Sequence, residues 1–266
     1  IRHCTGCFGC WVKTPGLCVI KDDMDEINRQ AIHADFVLWA SPLVLGFPSY
    51  YLKRTMDRSI PLVHPYITAV NGEAHHLARY DRYPVFGLLV QPGVHDDQAQ
   101  IDIVGRIFAR TALNIKSKLV FNETTDLPAV ELADRIVSNR DLEFQPGPAA
   151  RPQGELARIS PPKHLLVING SPRGKLGNTP ILLQKFIDGF LSLDGTSAEM
   201  LHLTQVKGKV KSVETFRQAD AVLLGFPLYT DGMPGIVKEF IDELAPLEGK
   251  ASNPPLAFLV QSGFPE

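Results

Sequence analysis

No cysteine follows position 18 in this chain of 266 residues; Cys4, Cys7, Cys10 and Cys18 crowd into its opening segment. That distribution excludes a disulfide framework spread over a secreted domain and points to metal or redox chemistry in a reducing compartment such as the cytoplasm. Charge of either sign is also scarce as a block. The net charge is -2 and no Lys/Arg cluster stands out, which argues against nucleic acid or an anionic membrane as a partner. No apolar run is long enough to span a bilayer. The longest, Phe36 to Leu52, is interrupted by Pro42 and Pro48 and stops at Lys53 and Arg54. There is no signal peptide, and the chain opens at Ile1 rather than Met, which reads as a fragment of a longer protein. Catalytic constellations are absent too: no Ser-His-Asp arrangement, no acid/base carboxylate pair, no zinc-hydrolase motif. No side chain is therefore assigned as a protein acid, base or nucleophile.

What is present is an alternation of strand and helix patterns. Helices are expected at Met24–His33 (with Asp23 and Glu26 spaced as a capping box), Tyr50–Ile60, Asp97–Leu113 and Ala129–Val137. Between them lie buried strands at Phe36–Ala40, ended by Pro42, at Val85–Val90 and at Lys118–Phe121. Residues 145–162, rich in Pro, Gly and Ala, read as a linker. The alternation then restarts: strand Leu165–Ile168, helix Ile181–Leu191, strand Met200–Leu203, helix Val213–Arg217, strand Ala221–Leu224, helix Ile236–Leu244, strand Leu256–Val260. This pattern implies an α/β fold with a doubly wound parallel sheet.

The two halves repeat each other. Asp35-Phe36-Val37-Leu38 matches Asp220-Ala221-Val222-Leu223, Pro42-Leu43 matches Pro227-Leu228, and Lys53 and Asp57 meet Lys238 and Asp242. Leu89-Val90-Gln91 and Gly93 echo Leu259-Val260-Gln261 and Gly263, after an insertion in the first half. The expected organisation is two tandem copies of one unit, at 1–144 and 163–266. Each is incomplete at one end: the first lacks an opening strand with its loop, and the second stops soon after its last strand. A tandem clipped at both ends and a circular permutation both satisfy that pattern.

Strand Leu165–Ile168 runs into Asn169-Gly170-Ser171-Pro172-Arg173-Gly174, and Asn178-Thr179-Pro180 opens a helix with Thr179 at the N-cap. The loop has neither the Gly-Lys-Ser/Thr of a P-loop nor the three spaced glycines of a dinucleotide fingerprint. It nonetheless offers backbone N–H groups, a helix N-terminus, and Ser171, Arg173, Asn178 and Thr179 to an anion. A plain strand-to-helix turn is the alternative. In a doubly wound sheet of this kind, ligands sit at the carboxyl ends of strands where the order reverses, and both this loop and Pro227–Pro234 follow such strands.

Asn-Gly-Ser-Pro-Arg followed by Asn-Thr resembles the FMN phosphate loop of the NAD(P)H-dependent FMN reductase and flavodoxin-like family. Pro227-Leu228-Tyr229-Thr230-Asp231-Gly232-Met233-Pro234 is similar to that family's loop against the isoalloxazine ring, and Gly263 falls at the next strand end. Gly177 stands where the family usually has Ser. The resemblance implies a flavodoxin-like fold and bound FMN. It further implies hydride supplied by NAD(P)H, a quinone, free flavin or other small oxidant as acceptor, and a homo-oligomer.

The cysteines have the spacing C-x2-C-x2-C-x7-C. Four thiolates suit a [4Fe–4S] cluster; zinc and metal-free thiols are the other readings. Cys-Thr-Gly-Cys-Phe-Gly-Cys-Trp, with Lys13-Thr14-Pro15-Gly16 and Asp22-Asp23-Met24, resembles the iron–sulfur flavoprotein branch of the same family. That branch implies electron transfer between the cluster and FMN, with a ferredoxin-like protein as donor. Phe8 and Trp11 read as core residues, with shielding of a cluster as the alternative, His75, His76 and His95 as surface histidines, and Lys53/Asp57 and Lys238/Asp242 as exposed helical ion pairs.

Overall fold

The computed structural model describes residues 1–70, 72–139, 142–147, 161–206 and 209–262. They fall into two compact units, one up to residue 147 and one from 161, with the turn 230–232 grouped with the first. Most of the expected linker, and Gly263, lie outside the described residues.

In the first unit the elements are α1 (Gly9–Val12), α2 (Met24–His33), β1 (Phe36–Val44), β2 (Phe47–Pro48), α3 (Tyr50–Asp57), β3 (Val63–Val70), β4 (Glu73–Ala78), β5 (Val85–Gln91), α4 (Gln98–Asn114), β6 (Leu119–Thr124) and α5 (Ala129–Asn139). Its main sheet has the order β2-β1-β5-β6, with β1, β5 and β6 parallel. Asp97 caps α4 through a reciprocal capping box with Gln100.

Two local expectations are corrected. β1 does not stop at Pro42 but continues to Val44: Pro42 stays in register with Gln91 of β5, its carbonyl accepts from Ser49 N, and Leu43 and Val44 pair with β2. Nor is β1 fully buried: Trp39, Ser41 and Leu43 face the core while Leu38, Ala40 and Pro42 are exposed. The core, in which Trp39 stacks on Phe86 and meets Phe108 edge-on, gathers on one face. Asp23 stands at the N-cap of α2 without a side-chain bond, and Asp22 accepts from the Met24 N–H instead.

The second unit contains β7 (His164–Asn169), α6 (Thr179–Phe190), β8 (Ser197–His202), α7 (Lys209–Gln218), β9 (Ala221–Pro227), α8 (Gly235–Glu243) and β10 (Leu256–Gln261). All four strands are parallel in the order β10-β9-β7-β8. The chain leaves β7 to one side for β8 and then crosses to the other for β9. The order therefore reverses at β7, where a doubly wound sheet opens a crevice above its strand ends. Leu166, Val167 and Ile168 are fully buried, so the strand that carries the loop is the most enclosed of the sheet.

The repeat is carried by geometry as well as sequence. Val37 pairs with Phe86 and Pro42 with Gln91; in the second unit Val222 pairs with Leu256 and Pro227 with Gln261, the same register. After β1, Leu45 and Gly46 both take positive φ, and after β9 so do their counterparts Thr230 and Asp231. Helices α3 and α8 then begin at matching positions. Burial differs, however. Phe86, Leu88 and Val90 on β5 are 3%, 0% and 0% exposed, flanked by β6 and packed under α4. Their equivalents Leu256, Phe258 and Val260 on the edge strand β10 are 40%, 56% and 50% exposed.

Candidate flavin and thiol sites

The loop after β7 is built around close approaches. Gly170 donates to Gly225 O at 2.7 Å, and a Cβ on Gly170 would stand 2.3 Å from Val237 Cγ2. Only a residue without a side chain lets the loop sit this low against β9 and α8. Asn169, fully buried, folds the turn back. Its Oδ1 accepts from Ser171 N (3.1 Å), while its Nδ2 donates to Gly174 O (3.1 Å) and to His202 Nδ1 (2.8 Å). Gly174 has φ +56 and fits closely over Thr204, a conformation glycine adopts without strain.

Ser171 is buried and its Oγ accepts from Arg173 N, whereas Arg173 and Asn178 are exposed. Helix α6 starts one residue earlier than expected, with Asn178 rather than Thr179 at the N-cap and Pro180 within the first turn. Asn178 makes no capping bond through its side chain; Thr179 is buried and donates to Gln261 Oε1 at 3.3 Å. The Gly177 departure also has a geometric reason: a Cβ there would lie 2.7 Å from Ser171 Oγ, which already occupies that space.

These features fit a phosphate monoester. A helix N-terminus, a turn of backbone N–H groups and an exposed arginine converge on one strand end. The second loop leaves β9 at the neighbouring strand end. Leu228 donates from its backbone to Gln261 O at 2.8 Å and its side chain is exposed. Thr230 and Asp231 follow with φ 46 and 57. A β-branched residue in the left-handed region is strained, and such strain gathers at ligand-binding turns.

The cysteine segment is organised by backbone donors and one buried arginine. Cys4 Sγ accepts from Gly6 N (3.5 Å), Cys7 Sγ from Gly9 N (3.4 Å) and Cys18 Sγ from Ile20 N (3.5 Å). Hydrogen bonds of this kind tune thiolates that ligate iron–sulfur clusters. Arg58, 1% exposed, clasps both ends of the segment. Its guanidinium forks onto Asp22 (3.0 and 3.1 Å) and donates to Arg2 O (2.8 Å) and Ile20 O (3.3 Å). Burial alone would raise the Asp22 carboxyl, but the Arg58 guanidinium and the N–H groups of Arg2 and Met24 hold it well below the usual range.

Burial pushes the Cys4 thiol up to about 12 and the Cys10 thiol up to about 11, with Cys18 adding to both shifts. A bound cation reverses that preference. Among the described residues, no three His, Cys, Asp or Glu side chains are placed to hold one metal ion, and the four cysteines are free thiols. The donor set itself, four thiols within the first 18 residues, is the set an iron–sulfur cluster takes.

Residues 163–247 match the model of a family described as having a flavodoxin-like fold. The second unit is flavodoxin-like. Curated relatives of this flavodoxin-like chain include an iron–sulfur flavoprotein of Methanocaldococcus jannaschii, 46% identical over 62 residues (23% of this chain, 31% of that protein). Another, from Archaeoglobus fulgidus, is 41% identical over 64 residues (24% of this chain, 28% of that protein). A third, from Methanosarcina thermophila, is 37% identical over 62 residues (23% and 31%). The chain spans less than a third of the length of each. No solved structure matches it. Residues 163–247 thus share a flavodoxin-like fold, and parts of the chain are similar to iron–sulfur flavoproteins. No helix among the described residues is long and apolar enough to cross a membrane.

The flavodoxin-like frame brings Ser171, Arg173, Asn178 and Thr179 to one strand end and Pro227, Leu228 and Tyr229 to the next. Several expectations fail on burial. Phe8 is exposed and stacks on Trp11, which donates to Val63 O and packs against His76, so neither is a plain core residue. His75 is not on the surface: it is buried in the β3–β4 hairpin between Asn114 Oδ1 (2.8 Å) and Glu73 Oε2 (3.0 Å). The Lys53–Asp57 and Lys238–Asp242 pairs are buried as well, both lysines fully so. His202 and Arg58 escape a reading of the sequence because they act through partners distant in it, and Asn169, though it bonds its own turn, is tied to His202 across 33 positions.

Arg58→Lys keeps the charge but loses the fork. It is expected to cost about 1–3 kcal/mol and to speed alkylation of the buried Cys10 and Cys18, read by mass-resolved thiol labelling.

Proposed function

We propose that the chain carries FMN on the loop after β7 and moves electrons between that flavin and a cluster held by Cys4, Cys7, Cys10 and Cys18. The observation that carries this reading is the pairing of two built features. One is a glycine-cradled anion loop at the switch point; the other is a thiol segment with N–H donors on three sulfurs, clasped by Arg58. The names of the relatives support it.

Bound FMN would supply exchange of one electron or of a hydride. The chain's own contribution is positional. Backbone N–H groups of the loop and α6, with Ser171, Arg173, Asn178 and Thr179, hold the phosphate. Pro227 to Gly232, with Tyr229 as its aromatic, flank the ring. Two copies of one unit, joined by residues 145–162, account for the shared register of the two sheets. A ferredoxin-like donor and a homo-oligomer belong to the same proposal.

A second reading needs only the flavin site: an NAD(P)H-dependent reductase of a quinone, flavin or other small acceptor, with the cysteines as spare thiols. The raised thiols of Cys4 and Cys10 favour keeping it, since a neutral thiol is a poor metal ligand. Anaerobic purification with FMN, iron and acid-labile sulfide assayed on one sample separates the two. Iron and sulfide with fast reduction by a reduced ferredoxin support the carrier. Flavin without iron, together with turnover on NADH or NADPH, supports the reductase.

In either case, replacing Asn178 and Thr179 together by Ala is expected to weaken FMN binding about tenfold, measured by flavin fluorescence. Unchanged affinity would remove the phosphate-loop assignment.

A further inference from the structure

We propose that His202 is a positioning residue for the flavin phosphate, and that it makes flavin retention depend on pH. The inference rests on the FMN reading of the loop after β7. In the β7–β8 ladder Asn169 and His202 are register partners at the strand ends, so their side chains lie on one face of the sheet. Two backbone groups fix the orientation of the Asn169 amide. Ser171 N–H must meet an acceptor, so Oδ1 points there; Gly174 O must meet a donor, so Nδ2 points there. The second hydrogen on Nδ2 is then aimed at His202 Nδ1, 2.8 Å away. Nδ1 is therefore the acceptor and the ring proton sits on Nε2.

Asn169 is fully buried, so this three-bond arrangement has no water to replace it. Ser171 and Gly174 are the two ends of the turn that presents the loop N–H groups, and Gly174 N itself donates to Ser171 O at 2.9 Å. His202 thus reaches the phosphate site through Asn169 without touching it.

Protonating His202 converts Nδ1 into a donor facing the donor Nδ2. Asn169 then either leaves that contact or flips, and a flip breaks both bonds to the turn. The charged group acting on His202 is Lys175, on the turn at 174–176; Asn169 is neutral. Burial and Lys175 both push the His202 pKa below its ordinary value. The neutral form is the one the folded loop holds. Flavin affinity is accordingly full while His202 is neutral and falls as pH drops below the lowered pKa that the flavin-free loop gives it.

The test is an FMN titration by fluorescence at about pH 7.5 and about pH 5.5, with wild type, His202→Asn and His202→Leu. Asn offers an acceptor near the position of Nδ1 that does not titrate; Leu offers none. The phosphate of FMN has its own ionisation near pH 6, which all three proteins share, so the ratio of dissociation constants between proteins is what counts. Wild type is expected to weaken about tenfold more than His202→Asn on acidification, and His202→Leu to be weak at both pH values. Riboflavin, which lacks the phosphate, should show no such ratio. Amide exchange of Ser171 and Gly174 in the flavin-free protein should quicken at the lower pH in wild type but not in His202→Asn.

A ratio independent of pH, or His202→Leu binding FMN like wild type, overturns the proposal. Failure of every protein to bind FMN at either pH overturns the flavin reading and this role with it. The amide exchange then shows whether the Asn169–His202 link governs the loop regardless.

Discussion

Gly170→Ala is expected to strip the protein of most of its flavin affinity. The added Cβ would meet Val237 Cγ2 at 2.3 Å, Gly225 O at 3.2 Å and Phe226 Cβ at 3.3 Å. None of these can yield cheaply. Val237 is fully buried on α8 and β-branched, and Gly225 O is backbone in the middle of the sheet, already accepting from Gly170 N. The loop must rise, which breaks that bond and misaligns the N–H groups proposed to hold the phosphate. Overpacking of this kind costs about 1–3 kcal/mol, which, if borne by the binding-competent loop, is about 5–150-fold in the FMN dissociation constant. Gly189→Ala in α6 is the control. Nothing lies within 4 Å of its Cβ position, so the same change there should raise stability by about 0.5–1 kcal/mol and leave flavin binding alone. Gly170→Ala combined with Val237→Ala opens space and should recover part of the affinity. Wild-type binding by Gly170→Ala alone would show that the phosphate does not sit on this loop.

Such a close approach cannot be read from a sequence, although its location can. The alternation of apolar runs with helical patterns placed every strand of both main sheets except the two-residue β2, and α2 has the expected bounds because Met24, Ile27, Ala31 and Ile32 mark one helical face. The repeat was visible because Pro42/Pro227 and Gln91/Gln261 sit in register, and register is what a sheet conserves between its copies.

The β3–β4 hairpin was missed, though Asn71-Gly72 between Ile67-Thr68 and His75-His76 carries a strong hairpin signal and Gly72 has φ +85. With the hairpin went the burial of His75. The anchoring residues of both sites were illegible for a different reason. Arg58 meets Asp22 across 36 positions and Asn169 meets His202 across 33, and no local pattern encodes either meeting. What the sequence showed of the site was its backbone-shaping part, the glycines and cap residues. What it concealed was the polar network beneath them.

The helical spacing of Lys53/Asp57 and Lys238/Asp242 is equally silent about burial, and the second prediction turns on that difference. An exposed pair at this spacing contributes about 0.3–0.5 kcal/mol, so breaking it would hardly register. Here Lys238 is fully buried with Asp242 at 14% side-chain exposure, and Lys53 is fully buried with Asp57 at 2%. Removing one member leaves a carboxylate with its desolvation cost and without its cation. Lys238→Met and Lys53→Met are each expected to lower unfolding stability by about 3–5 kcal/mol, read as a shift in the urea midpoint. Replacing both members, as Lys238→Met with Asp242→Leu, removes the stranded charge along with the attraction. Most of the stability should therefore return, since a buried pair contributes little net free energy against an apolar one of similar volume. The double variant separates two causes that the single one mixes. Recovery identifies the buried carboxylate left without its lysine as the source of the loss. A double variant as unstable as Lys238→Met would instead place the cost in the buried stem of the lysine.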